Sequence, residues 1–431
     1  MIVEKIHQIF LSSNGVVTDT RKIKPNTIFF ALKGDNFNGN EFAQQAIDLG
    51  CSYAIIDDSM VAINDRFVLV ENVLDSLQQL AKFHRNYLGL KIVALTGSNG
   101  KTTTKELFHA VLSQKYNCKA TIGNLNNHIG VPLTLLSFDK STEIGVVEMG
   151  ANHQKEIAFL CEIAQPDIGY ITNFGKAHLE GFGGVEGVIK GKSEMYDFLR
   201  HNGKMMLINT DDPIQNERSK GINERVAFSI SDLKIKLFDG QRAESQCLSF
   251  YVGDHLVETQ LYGSYNLSNC MSAIALGLYF DISIFEVINA INQYSPSNHR
   301  SQWLEKGNLK IVLDAYNANP SSMMHAIRDF VLIQNSNKAI ILGDMFELGI
   351  ASENEHQKII DMLSDNPDIN TFFVGQNFYA LKKRHLGRQH LKFFENTQAL
   401  IDAIDQVKDS TQLLLIKGSR GMQLEKIIDF I

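Results

Sequence analysis

The densest chemistry in the chain is TGSNGKTTT, Thr96 to Thr104, set between the apolar run KIVALT and the amphipathic stretch TTTKELFHAVL. Gly97 and Gly100 allow backbone N–H groups to close on phosphate oxygens, with Ser98 and Asn99 between them and Thr103 following. Lys101 supplies a point charge, Thr102 offers a hydroxyl to magnesium, and a helix starting here turns its positive end toward the anion. Leu95 stands where the longer phosphate loop has its first glycine, so this is the shorter GxxGKT form. A glycine turn before a helix can be only a turn, but GKTTT between a strand and a helix predicts a phosphate site.

A hard cation beside those phosphates needs oxygen ligands. Glu148 follows the apolar run IGVV, so it is expected at the carboxyl end of a strand near the phosphate loop, against the rival of a solvated strand-end carboxylate. His178 lies in the glycine-rich stretch TNFGKAHLEGFG, where it could complete a metal shell or orient a substrate, although most loop histidines do neither. Lys190 and Lys192, in EGVIKGKSEMYDFL, read from composition as solvated charges near a helix start.

These groups must be held by α/β elements. Residues 1–88 show short strand-like runs (TIFFAL, SYAIID, RFVLV) and end in the helical stretch DSLQQLAKFHRNYL, which suits a small α/β domain. Residues 89–298 alternate strands (KIVALT, IGVVEMG, IGYITNFG, KMMLINTDD) with helices, as a parallel sheet requires. From about Arg225 to Gly263 short alternating runs predict an antiparallel insertion. Residues 299–431 give four apolar strands, KIVLDAYNANP, KAIILGDMFELG, TFFVGQN and LLLIKGSRG, each ending in a polar or glycine-containing loop of the kind that binds ligands in open α/β sheets.

A chain of 431 residues, 44% of them hydrophobic, can bury several cores. Its five cysteines are scattered and never in a CxxC pair, so neither a disulfide framework nor a zinc site is expected. No apolar run is long enough to span a bilayer and the first residues lack a signal-peptide pattern, which predicts a cytoplasmic protein. A net charge of −7 with mixed signs argues against nucleic acid or membrane as partners. A monomer is the expected working unit.

Taken together, TGSNGKTTT, GNLNNHIGVPLTLL, VVEMGA, ITNFGKAHLEGFGG, GSYNLSN, LDAYNANP, GDMFELG and KGSRG resemble the Mur ligase family, in order and over nearly the whole chain. DAYNANP, GDMFELG and the opening DTRKIKPNTIFFALKGDNFNG resemble the branch that adds D-Ala-D-Ala to a UDP-N-acetylmuramoyl-tripeptide. The resemblance implies three domains: an N-terminal one for the UDP-sugar peptide, a central ATP-binding one, and a C-terminal Rossmann-like one that closes over the site. It implies that Glu148 and His178 bind magnesium and that Lys192 is carbamylated, which turns a cation into an oxygen ligand. Asn269 is implied as an adenine contact, and Asn266 as the support of the preceding turn. Arg300 and Asp314 become ATP contacts made on closure. Tyr316, Asn317 and Asn319 would shape the dipeptide pocket, and Thr20, Arg21, Lys33 and Gly34 would face the uracil and diphosphate. Helix capping is the rival for Asn266, Asn269 and Asp314. Thr20, Asn40 and Ala315 stand where serine, histidine and serine are commoner in the family.

The implied reaction is ADP-forming amide synthesis: ATP phosphorylates a carboxylate, and the amine of D-Ala-D-Ala attacks the acyl-phosphate. Other Mur ligases and folylpolyglutamate synthases use the same chemistry, and a nucleotide-driven regulatory ATPase is the rival from another class. The third residue of the acceptor peptide is not legible.

Overall fold

The computed structural model describes residues 2–238, 247–296, 300–334, 337–408 and 411–431. The expected junction at 298/299 and part of the expected insertion lie outside the described residues.

The first domain carries a parallel four-stranded sheet, ordered Val16–Val17, Ile28–Phe30, Tyr53–Ile56, Phe67–Leu69. Its closing helix, Val73–Leu88, is started by Asn72, whose side chain accepts from the Asp75 N–H, and stopped by Gly89 at φ 65. This helix presents Leu77, Leu80 and Ala81 to the core, and it continues into the buried strand Lys91–Thr96 of the second domain.

The second domain is a six-stranded parallel sheet with Lys91–Thr96 in its interior, between Ile168–Ile171 and Ile144–Glu148. Both faces of that strand are buried: Ile92 and Ala94 pack with Val147 and Leu160 on one side, and Val93 and Leu95 pack with Leu107, Phe108 and Ile274 on the other. Burial on both faces replaces alternation with a continuous apolar run.

The reading of Arg225 onward needs correction. Arg225–Phe228 is not part of an antiparallel insertion; it pairs in parallel with Met205–Asn209 as the edge of the central sheet. The helix Pro213–Arg218 lies between the two strands and makes the crossover that parallel pairing requires. Antiparallel pairing holds for Ile235–Leu237, Cys247–Val252 and His255–Tyr262, a separate three-stranded sheet.

The third domain has six strands where four were expected. Leu309–Asp314, Leu413–Lys417, Lys338–Gly343 and Asn370–Val374 form the parallel centre, flanked by Leu391–Phe394 and by the antiparallel Gln302–Lys306. The two extra strands are half-exposed edges, so their sequences lack the apolar run that marks the inner four. Among the described residues no helix is long and apolar enough to cross a membrane.

Candidate active site

A cavity of about 1050 Å³ lies where the carboxyl ends of the central and C-terminal sheets face each other. Ser98, Asn99, Gly100, Lys101, Thr102, Thr103, Glu148, His178 and Asn269 line it from one domain, and Arg300, Asp314, Tyr316, Asn317 and Asn319 from the other. Gly97 and Lys192 are not among the residues that line it. Thr20, Arg21, Lys33 and Gly34 sit on the first domain and do not line it.

The phosphate loop is built tightly. Gly97 has φ +146 and a Cβ there would stand 1.9 Å from Thr172 Oγ1; Gly100 has φ +78 and a Cβ would stand 2.6 Å from Asn269 Oδ1. Only glycine satisfies both the left-handed backbone and the close approach. Asn173 clamps the turn between them, accepting from the Asn99 N–H at 3.1 Å and donating to the Asn99 carbonyl at 3.0 Å. The helix Lys101–Leu112 then starts without a side-chain cap, leaving its first amides to a ligand. Lys101 Nζ donates to the Gly97 carbonyl at 2.7 Å. Burial lowers its pKa, opposed by the Glu148 carboxylate and reinforced by Arg300.

Asn269 is a scaffold as well as a lining residue. Its Oδ1 accepts from Thr104 Oγ1 at 3.1 Å and its Nδ2 donates to Asn266 Oδ1 at 2.8 Å, so both ends of the amide are engaged. Asn266 in turn donates to the Tyr262 carbonyl. Neither side chain caps the helix Leu267–Tyr279 by a hydrogen bond to its amides.

The groups beside the loop are less completely partnered. Glu148, 2% exposed at the end of its strand, accepts from Asn126 Nδ2 at 2.7 Å through Oε1, while Oε2 has no partner. Lys192 overturns the solvated reading. It sits inside the helix Val185–His201, wholly buried, and its Nζ has no hydrogen-bond partner and lies 5.2 Å from the Phe182 ring. Its pKa is pushed well down, first by burial and then by repulsion from Lys101. Lys190, two residues away on the opposite helix face, is exposed. Gly187 and Gly191 allow the stretch after His178 to lie on this helix, since a Cβ at either would strike Phe182.

The C-terminal side brings cations together. The Arg300 guanidinium stacks 3.6 Å from the Tyr316 ring centre, and Arg420 lies 4.8 Å from the same ring. Arg300 Nε is buried without a partner. Asp314 and Lys417, aligned on adjacent strands, form a buried pair at 2.5 Å, and the Ser301 N–H also points to Asp314. Asp314 therefore does not cap the following helix. Asn319 does: its side chain accepts from the Ser322 N–H, and its Nδ2 also donates to Asn99 Oδ1 at 2.7 Å, which ties the domains together at the phosphate loop. Lys176 joins them too, through Ser321 and, at 3.0 Å, Glu355. Asn317 accepts from the Ala318 N–H.

In the first domain Arg21 pairs with Asp19 at 2.8 Å and its hydrogen bonds hold that carboxyl down at about 2. Lys33 pairs with Asp57, which also accepts from the buried Asn40. Asn126, Thr172, Asn173, Lys417 and Arg420 lie within motifs quoted above but have no role legible in the sequence. Their signal was polar residues in strand-end loops.

Three domain descriptions of one family tile the chain: Mur ligase family, catalytic domain, over residues 13–85; Mur ligase middle domain over 95–277; and Mur ligase, glutamate ligase domain, over 299–420. The chain belongs to the Mur ligase family. This Mur ligase is 33% identical over 427 residues to the UDP-N-acetylmuramoyl-tripeptide--D-alanyl-D-alanine ligase of Bacillus subtilis, covering 96% of the chain and 92% of the relative. It is 30% identical to the ligase of the same name from Escherichia coli, over 97% and 93%. Among solved structures it is similar to MurF from Acinetobacter baumannii, with TM-score 0.83, 29% identity and coverage of 98% and 97%. MurF ligase from Thermotoga maritima, solved in complex with ADP, gives TM-score 0.81 at 25% identity, with coverage of 98% and 97%.

Proposed function

We propose that this Mur ligase uses ATP to join D-alanyl-D-alanine to a UDP-N-acetylmuramoyl-tripeptide, in the cytoplasmic stage of peptidoglycan synthesis. The observation that carries the reading is one cavity in which a prebuilt phosphate loop faces the Tyr316–Asn319 loop of the other domain, in a chain aligned end to end with ligases of that name.

Making a carboxylate oxygen a leaving group requires its phosphorylation. Lys101 and the amides opening its helix hold the β- and γ-phosphates, and Arg300, stacked on Tyr316, faces the cavity with spare donors. The unpartnered Glu148 oxygen and the Thr102 hydroxyl suit magnesium, which is commonly held by one or two carboxylates together with substrate phosphates. His178 and a carbamylated Lys192 would hold a second ion. Magnesium bound there would neutralise charge on the transferring phosphoryl group. Burial disfavours the protonated form of Lys192 and so favours the nucleophilic free amine; its addition to carbon dioxide forms an N–C bond and releases one proton. The carbamate oxygens then give this unpartnered position a ligand.

The acyl-phosphate is attacked by the dipeptide amine, with Tyr316, Asn317 and Asn319 shaping that pocket and phosphate leaving. Asn269 supports the loop and the adenine, while Asp314 is held by Lys417 beside the ATP site. Thr20, Arg21, Lys33 and Gly34 receive the uridine diphosphate end of the other substrate. Docking of the C-terminal domain excludes water from the acyl-phosphate.

The test is phosphate release by the purified chain. Release that requires both the muramyl tripeptide nucleotide and D-Ala-D-Ala supports the ligase; release independent of either marks a regulatory ATPase.

A further inference from the structure

The GDMFELG motif is only partly explained by folding. Asp344 caps the helix Gln376–Ala380, accepting from the Asn377 and Phe378 N–H groups at 2.9 and 3.0 Å, and the Phe346 ring would meet a Cβ at Gly421 at 2.9 Å. Glu347 does neither. It reaches across the domain boundary, and its Oε2 contacts Nδ1 of His178. Its carbonyl also accepts from the Glu180 N–H at 3.4 Å.

Both partners hold backbone conformations that side chains disfavour, His178 at φ +52 and Glu347 at φ +61. Left-handed non-glycine residues persist where the surrounding structure enforces them, and they cluster at functional sites. Here two such residues from different domains meet side chain to side chain. An ionised carboxylate can only accept, so the ring must carry its proton on Nδ1, which leaves the Nε2 lone pair of a neutral His178 free for a ligand.

We propose that Glu347 is a positioning residue: docking of the C-terminal domain supplies the carboxylate that fixes the ring and tautomer of His178, so the phosphoryl-transfer site is complete only in the closed arrangement. A histidine ligand held by a carboxylate in this way gains both orientation and basicity. The consequence is a gate, since ATP bound to an undocked domain meets an unoriented His178. The inference rests on the ligase reading for its kinetic part only.

The experiment compares wild type with Glu347→Ala and Glu347→Gln. Glu347→Ala is expected to lower kcat by about 10–100-fold, the range seen when such supporting groups are removed, with KM for ATP nearly unchanged. Glu347→Gln, whose amide oxygen still accepts from Nδ1–H, should recover part of the loss. Nitrogen-15 shifts of the His178 ring, assigned by difference against His178→Gln and read without nucleotide, should show Nδ1–H in wild type and a shift toward Nε2–H in Glu347→Ala. Unchanged kcat in Glu347→Ala, or a fall in kcat with unchanged ring shifts, overturns the proposal. If the wild type releases phosphate without needing both substrates, the ligase reading fails, while the ring shifts still decide the role of Glu347.

Discussion

The phosphate loop and the buried groups beside it, Glu148 and Lys192, are built on opposite plans. At the phosphate loop the turn is braced by side chains: Asn99 is held by Asn173 from one domain and Asn319 from another, and Asn269 lies against Gly100 and accepts from Thr104. At Glu148 and Lys192 a carboxylate oxygen and an amine are buried with no hydrogen-bond partner. An unpartnered buried polar group costs about 1–3 kcal/mol, and these two lie near the loop lysine, where an arriving ligand can supply the missing partner. The loop is held in shape by the protein itself, whereas Glu148 and Lys192 keep atoms that the fold does not partner.

That contrast can be broken most severely at Lys192. Lys192→Ala should lower kcat by about 10³-fold or more, in the range of losing a principal electrostatic group, and added short-chain carboxylates should partly restore it. Undiminished turnover would remove the carbamate from the account. Lys101→Ala is expected to cost about 10²–10³-fold in ATP-dependent turnover with an unchanged circular dichroism spectrum; a loss of fold instead would mean the lysine serves structure.

Asn173→Ala probes the preorganised end. It removes two hydrogen bonds to Asn99 and should weaken ATP binding by about tenfold in calorimetry, close to 1.4 kcal/mol, while leaving the Glu148 end intact. An unaltered affinity would show that the loop does not depend on its clamp. The smallest effect concerns stability. Without carbon dioxide the folded Lys192 binds its proton only well below the usual lysine range, so the unfolded chain holds more protons as pH rises toward 10.5. Folding stability should then increase with pH there by up to about 1.4 kcal/mol per unit, and Lys192→Met should abolish that slope in thermal denaturation between pH 8 and 10.

What the sequence disclosed follows the range of the interactions. The phosphate loop is local: nine contiguous residues specify turn, charge and helix start, and the structure places them as read. Glu148 was legible because an apolar run predicts a strand and its last residue must sit at the sheet's carboxyl end. Lys192 was not, since burial depends on helix phase, and composition cannot tell the exposed face of Lys190 from the buried one. Strand direction at Arg225–Phe228 was missed because alternation reports exposure and says nothing of orientation. The stacking of Arg300 and Arg420 on Tyr316, and the meeting of His178 with Glu347, join residues far apart in the chain and required the docked domains.

An acyl-phosphate formed in this cavity would carry one carboxylate oxygen into the phosphate that leaves. Tripeptide nucleotide carrying oxygen-18 in its terminal carboxylate, turned over with ATP and D-Ala-D-Ala, should deliver one labelled oxygen to each phosphate released, as mass spectrometry of the phosphate would read. Phosphate free of label, with dipeptide still joined, would contradict the account.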